Sequence, residues 1–484
     1  MSYDLLIIGG GINGCAIARE AALNGLKVLL VEKDDLASHT SSASSKLIHG
    51  GLRYLETYQF RLVHEALEDR ERLLAAAPHL IRPMRFVLPH AHDVRPWWMV
   101  RVGLWLYDLL GGQSSLPRSR GLRAADADYV APLKGAPRGF VYSDAWVDDA
   151  RLTVANALDA AANGAEIATR VEMLEAVREA EGWRVRLSDG RSVRARAVVN
   201  AGGPWVRGVL DRTGVASGSG VRLVRGSHVV VPKLFEGDHA YILQQPDRRI
   251  VFAIPYEGEF TEIGTTDVPV DDPADAVCSQ EEKAYLCGAV NRYFSRQVSP
   301  AAIVSCWSGV RPLFDDGAAA AQAVTRDYVL ELDDGGPPLL SVFGGKITTA
   351  RALAEEAVAK IGGAMGVEVQ PRTRARVFPG GAIADVGRLG EELAQRWPFL
   401  GKARAARLAH AYGSAAREML KPVQEASDLG QDFGAGLSEV EARWLRAHEW
   451  ARTPEDVLWR RSKRGLHMLP EEQARFATWW SELR

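Results

Sequence analysis

The stretch that most limits what this chain can fold into is its first 32 residues, ending YDLLIIGGGINGCAIAREAALNGLKVLLVE. Residues 3–8 are a short apolar run that reads as a buried strand, and Gly9, Gly11 and Gly14 follow at G-x-G-x-x-G spacing. Residues 12–24 carry helical periodicity, Gly25 suits the helix end, residues 27–31 form a second apolar strand, and Glu32 closes it. Each part has a physical task. Gly9 permits a tight turn, Gly11 lets backbone approach a pyrophosphate, and Gly14 lets the helix pack close to the strand. The helix N-terminus offers unpaired N–H groups and a positive dipole end to phosphates. A carboxylate at Glu32 accepts hydrogen bonds from a ribose and repels a 2′-phosphate. A lone G-x-G-x-x-G is weak evidence; here strand, loop, helix, second strand and terminal acid are all in register. The expectation is a dinucleotide site, and a fingerprint at the very start of the sequence suits FAD at least as well as NAD.

At 484 residues the chain has room for two or three domains. A formal charge of -2 gives no global field for nucleic acid. Four cysteines (Cys15, Cys278, Cys287, Cys306) show no ligand spacing, so neither a metal nor a disulfide framework is expected. The start lacks the charged, apolar and cleavage regions of a signal peptide, and no apolar run is long enough to span a membrane.

Further along, 61–77 and 148–164 read as helices, and 166–168, 184–187 and 197–200 as strands. Residues 222–231, 239–244, 249–255 and 260–266 are β-rich with turn signals between them and look like one antiparallel sheet. An apolar strand at 339–342 leads to Gly344-Gly345, which opens a helix to about residue 361. From 385 onward the pattern is almost wholly helical. The fold class is therefore mixed α/β and α+β. The expected organisation is a discontinuous nucleotide-binding domain (1–74, 140–210 and 325–375), a cap carrying the antiparallel sheet (75–139 and 211–324) and an α-helical C-terminal domain (376–484).

Three segments carry chemistry. Thr40, Ser41, Ser42, Ser44 and Ser45 follow Glu32 with hydroxyls suited to phosphates or a ribityl chain; Lys46 and Arg53 add positive charge, and His49 precedes Gly50-Gly51, where a flat ring can come close. The alternative is a polar surface loop. Residues 200–205, NAGGPW, put small residues, Gly202 among them, at a strand end where an open α/β sheet binds ligands. Residues 344–349, GGKITT, put Gly345, Lys346 and Thr348 at a second helix start, whose dipole and cation suit a reduced flavin. Arg311, between Val310 and Pro312, is framed for a phosphate or carboxylate; a structural ion pair is the other reading, and is favoured for Arg326 with Asp327 beside it. A lone strand histidine such as His228 more often satisfies a hydrogen bond than takes a proton.

Taken together, these segments resemble the FAD-dependent (aerobic, respiratory) glycerol-3-phosphate dehydrogenases, essentially end to end. The resemblance is carried by IIGGGINGCAIAREAALNG, TSSASSKLIHGGLRYLE, YSDAWVDDARL, NAGGPWV, RGSHVVVP, IPYEGEFTEIGTTD, SGVRPL, TRDYVL and VFGGKITTAR, and continues through DLGQDFG and LRAHEW. It implies a Rossmann-like FAD domain of the D-amino-acid-oxidase/glutathione-reductase type. It also implies oxidation of sn-glycerol 3-phosphate at C2 to dihydroxyacetone phosphate, with hydride passing to flavin N5 and electrons to a membrane quinone. By motif, Gly9, Gly11, Gly14, Glu32, Thr40, Ser41, Ser45, Lys46 and the 344–349 turn would hold FAD, with Val171 touching the adenine side by backbone. Arg53, Tyr54, Arg311 and Arg326 would bind the substrate phosphate, and His49, His228 and Lys346 would face the reacting carbon and the flavin. His228 is the first choice of base and His49 the second; Arg311 serves as an electrophile toward the forming ketone.

The resemblance further implies a peripheral enzyme on the cytoplasmic face of the inner membrane. Residues 95–111, RPWWMVRVGLWLYDLLG, have the composition of an interfacial helix and equally that of a core helix. Two rivals stand: a glycerol-3-phosphate oxidase that uses oxygen, and a non-catalytic flavin-binding sensor or scaffold. For the helical C-terminal region, oligomerisation (a homodimer included) and partner docking are both open.

Overall fold

Two large sheets and a helical unit organise the molecule. A computed structural model describes residues 2–90, 95–135, 138–315 and 327–483, apart from the side chains at 53, 56 and 57. The first sheet has eight strands. At its centre, β1 (Ser2–Ile8) pairs in parallel with Ser192–Asn200 on one side and with β2 (Val28–Glu32) on the other. Leu339–Phe343 and Glu166–Thr169 extend it in parallel, and Val329–Asp333 closes one edge antiparallel. The centre strands are apolar on both faces because both are covered. On one face lie α1 (Ile12–Leu23) and helices Asp149–Ala162 and Ala350–Met365; on the other, Trp183 and Val206 sit in a second core.

The second sheet has ten strands and contains all four β-rich segments. It is mixed rather than antiparallel throughout, because Ala240–Gln244 pairs in parallel with Ile81–Pro89. That strand pairs in turn with Gly139–Val147, so residues 140–147 belong to this sheet and not to the nucleotide-binding sheet where the boundary at 140 had put them. The sequence hid this because GFVYSDAWV runs straight into the helix Asp149–Ala162, whose N-cap is Asp148, with no break in pattern. Residues 389–480 close a separate helical core around Phe433, Leu445 and Phe476.

Candidate active site

Backbone builds the first half of the site. Gly9 has φ +113°, and a Cβ there would lie 2.4 Å from the Ala201 carbonyl oxygen. A Cβ on Gly14 would lie 1.9 Å from the Gly9 carbonyl oxygen, so α1 touches the loop only because Gly14 has no side chain. No side chain of its own caps α1; the Ile12 N–H donates instead to Ser41 Oγ at 2.9 Å. Glu32 accepts from the Gly10 N–H at 2.6 Å and the Asp34 N–H at 2.8 Å, and burial nonetheless pushes its carboxyl up.

Around this loop lies a cavity of about 330 Å³, lined by Gly9, Gly11, Asn13, Glu32, Ser38, Thr40, Ser41, Val171, Gly202 and Gly345 among others. Asn13 Oδ1 and Ser38 Oγ are buried there with no hydrogen-bond partner. Buried polar atoms are nearly always satisfied, so a long cavity with two unsatisfied polar atoms and a glycine floor fits a dinucleotide. Val171 gives its N–H to the Glu32 carbonyl at 2.8 Å, which leaves its carbonyl and side chain for an adenine.

Ser45, Lys46 and Thr348, three of the residues expected at the cofactor, are not among those lining this cavity. Lys46 is 2% exposed and its ammonium donates to Asp149 at 2.9 Å and to the Ser42 carbonyl at 3.0 Å. Its charge therefore holds the loop in place from beneath and does not line the cavity. Ser45 Oγ is 2.8 Å from His228 Nε2, and Thr348 is buried, accepting the His49 N–H at 3.3 Å. The 344–349 turn also differs from expectation: Gly344 and Gly345 have φ +78° and +98°, and the helix begins only at Ala350.

Side chains build the second half. A cavity of about 580 Å³ is lined by His49, Tyr54, Phe252, Thr265 and Asp267 on one side and by the helix Trp97–Leu110 on the other. Lys346 Nζ stands 4.0 Å from the centre of the Tyr54 ring. Arg311 lies across Gly226, donating to Asp267 at 2.8 Å and Thr265 Oγ1 at 3.0 Å. The ion-pair reading of Arg311 is thus realised, and its partner Asp267 is a cavity residue. Arg326 lies outside the described residues, as does the side chain of Arg53.

His228 is fully buried, stacked on Trp307, and not among the cavity-lining residues; burial, with Arg311 and Lys46 nearby, pushes its pKa well down. It is a neutral imidazole. Behind it, Glu262 Oε1 lies 3.8 Å from His228 Nε2, and neither Glu262 oxygen has a hydrogen bond. Burial raises the Glu262 carboxyl to about 8, against the pull of Lys46.

Sequence reasoning missed the network that sets the His49–Gly51 turn. Tyr107 Oη accepts the Gly50 N–H at 2.8 Å and donates to Asp144 at 2.9 Å, and Arg70 pairs with Asp144 at 2.8 Å. Burial lifts Asp144 to about 6, opposed by Arg70. An acid inside the largely apolar GFVYSDAWV strand was the available signal.

The comparisons with known proteins agree with this geometry. A family of FAD-dependent oxidoreductases matches residues 4–351, and the C-terminal domain of alpha-glycerophosphate oxidase matches 371–475. A glycerol-3-phosphate dehydrogenase of Pseudomonas aeruginosa is 52% identical over 98% of this chain and 94% of that protein. The chain belongs to the FAD-dependent glycerol-3-phosphate dehydrogenase family. It is therefore an FAD oxidoreductase, and FAD is its cofactor. A D-erythritol 1-phosphate dehydrogenase of Brucella abortus is 48% identical over 99% of the chain and 97% of that protein. A Bacillus halodurans glycerol-3-phosphate dehydrogenase, solved with FAD, superposes with TM-score 0.76 at 27% identity, covering 99% of this chain and 94% of that one. Of the two cavities, the first has the lining that fits this cofactor.

Proposed function

We propose that this enzyme oxidises sn-glycerol 3-phosphate to dihydroxyacetone phosphate in the second cavity. The carrying observation is that one 580 Å³ space brings His49 and Tyr54 together with Asp267, the partner of Arg311. FAD supplies the acceptor, N5, for the hydride leaving C2. The chain's own residues do the rest. Arg311 is a fixed cation that exchanges Asp267 for substrate oxygen, and Lys346 adds a second positive charge beside Tyr54. The C2 hydroxyl proton needs a base within hydrogen-bond reach. His49 lines the cavity whereas His228 is sealed behind it, so His49 takes first place, reversing the order expected from sequence.

The test is anaerobic addition of glycerol 3-phosphate to the purified yellow protein. Bleaching is expected; none at all would favour a flavin-binding scaffold. Bleaching rate against pH for His49→Ala and His228→Ala decides the base, and an unchanged profile in both would remove each of them. Running D-erythritol 1-phosphate beside glycerol 3-phosphate fixes the preferred chain length, a comparison the Brucella relative makes necessary.

Electrons then pass to a quinone at a membrane surface. In support, Trp98, Val102, Trp105 and Leu109 form an exposed apolar stripe on Trp97–Leu110, while Val100, Leu104 and Tyr107 on the other face are buried. Met99, Val102, Gly103 and Leu106 of this helix also line the second cavity, giving an apolar acceptor a short approach. No helix among the described residues is long and apolar enough to cross a membrane, so contact would be peripheral. Trp97, packed 4.0 Å from Phe140, is not the residue to change. Trp98→Ser with Trp105→Ser should abolish flotation with liposomes; unaltered flotation would count against the surface. High peroxide yield in turnover would point to oxygen as the acceptor.

A further inference from the structure

The helical C-terminal unit sends one short segment back to the FAD cavity. In the widened π-helical turn Asp456–Arg461, Arg461 is fully buried and grips Asp35 with both amino groups, each at 2.8 Å, while Arg460 Nε donates to the same carboxylate at 2.7 Å. Asp35, 1% exposed, belongs to the loop that carries Glu32, Ser38 and Thr40 into the cavity. The same turn reaches the opposite wall. Asp456 accepts from Arg170 at 2.8 Å, and Arg170 immediately precedes Val171. The two walls meet through the Arg170 N–H, which donates to the Asp34 carbonyl at 2.9 Å.

Both walls hold non-glycine residues in the left-handed region, Ala37 at φ +59° and Arg170 at φ +61°. Such conformations persist only where surrounding contacts fix them. The Ala37 N–H donates to the Gly10 carbonyl at 3.1 Å, while Asp35, two residues before it, and the Arg170 guanidinium are both held by one turn of the C-terminal helical unit. These walls flank Glu32 and Val171, the ribose and adenine side of the cavity.

We propose that the C-terminal unit is a clamp on the adenosine half of the FAD site, with Asp35, Arg170 and Arg461 as positioning residues, none of which lines the cavity. A comparable ion pair lies three residues beyond that turn. Arg464 donates to Glu257 at 2.6 Å, in the turn between strands Ile250–Tyr256 and Phe260–Gly264 of the second sheet, and neither residue lines the FAD cavity.

The experiment measures FAD and ADP dissociation constants by fluorescence titration of deflavinated full-length protein, with thermal melting of each variant. Asp35→Asn and Arg170→Met are expected to weaken FAD and ADP tenfold or more and by the same factor. Once saturated with FAD they should bleach with glycerol 3-phosphate at the unaltered rate. Glu257→Gln should lower the melting temperature while leaving both dissociation constants within twofold. Unchanged FAD affinity in folded Asp35→Asn and Arg170→Met overturns the proposal, as does an equal loss in Glu257→Gln. Should Asp35→Asn fail to fold, Arg170→Met decides alone, since that side chain is 38% exposed and its loss is the milder change.

Discussion

The two cavities are made of different material. The FAD cavity is shaped by backbone: glycines that no other residue can replace, and N–H groups held by Glu32 and Ser41. The second cavity, the proposed substrate site, is shaped by side chains drawn from widely separated segments, with Asp267, Arg311 and the Tyr107–Asp144 pair doing the arranging. A backbone-built site should fail as a whole when a Cβ is added. A side-chain site should lose one interaction at a time.

Gly14→Val is the sharpest way to break that contrast. Its Cβ meets the Gly9 carbonyl at 1.9 Å, a backbone clash that costs about 3 kcal/mol or more. The protein should purify without yellow colour, and full flavin stoichiometry at 450 nm would overturn the reading. Arg311→Met should keep FAD yet raise KM for glycerol 3-phosphate by roughly 100-fold, the scale of a lost charge-assisted pair. Loss of flavin from that variant would mean the two cavities are not separable. Tyr107→Phe leaves the Gly50 N–H unpaired at about 1–3 kcal/mol. Slower bleaching, by about thirtyfold at the middle of that range, with normal FAD retention is expected; stopped-flow absorbance reads it.

The smallest effect is a slope. Glu262 in the fold titrates at about 8, above its ordinary 4.5. The folded state therefore keeps a proton that the unfolded chain gives up, and stability falls as pH rises from about 4.5 through 8. The loss approaches about 1.4 kcal/mol per pH unit at its steepest. Glu262→Gln should flatten melting temperature against pH across this window. An identical slope in both proteins would show that Glu262 is not the group responsible.

The same contrast explains what was legible in the sequence. The fingerprint, its helix and Glu32 could be read because their geometry is local, closed within 32 residues. Lys46 was misread because its partner, Asp149, is 103 positions away; without it, a cation in a Ser-rich loop looks like a phosphate ligand. Helix 97–110 drew two readings, interface and core; its inner face packs in the core, and its outer face is exposed apolar surface. Glu262 carried no signal at all, since TEIG reads as an ordinary half-exposed strand until the sheet buries it. The boundary at 140 misses the strand Gly139–Val147 because pairing partners are not encoded in pattern.

The discontinuous first sheet has a consequence for how the chain is made. The fingerprint emerges first, yet the cavity it serves takes its remaining walls from Val171, from 201–205 and from Gly344 and Gly345. β1 itself pairs with residues 194–200. A ribosome-bound chain thus carries its nucleotide signature until Gly345 has been made before a cofactor pocket can close around it. Any fragment ending before Gly345 should be colourless, however well its opening residues fold.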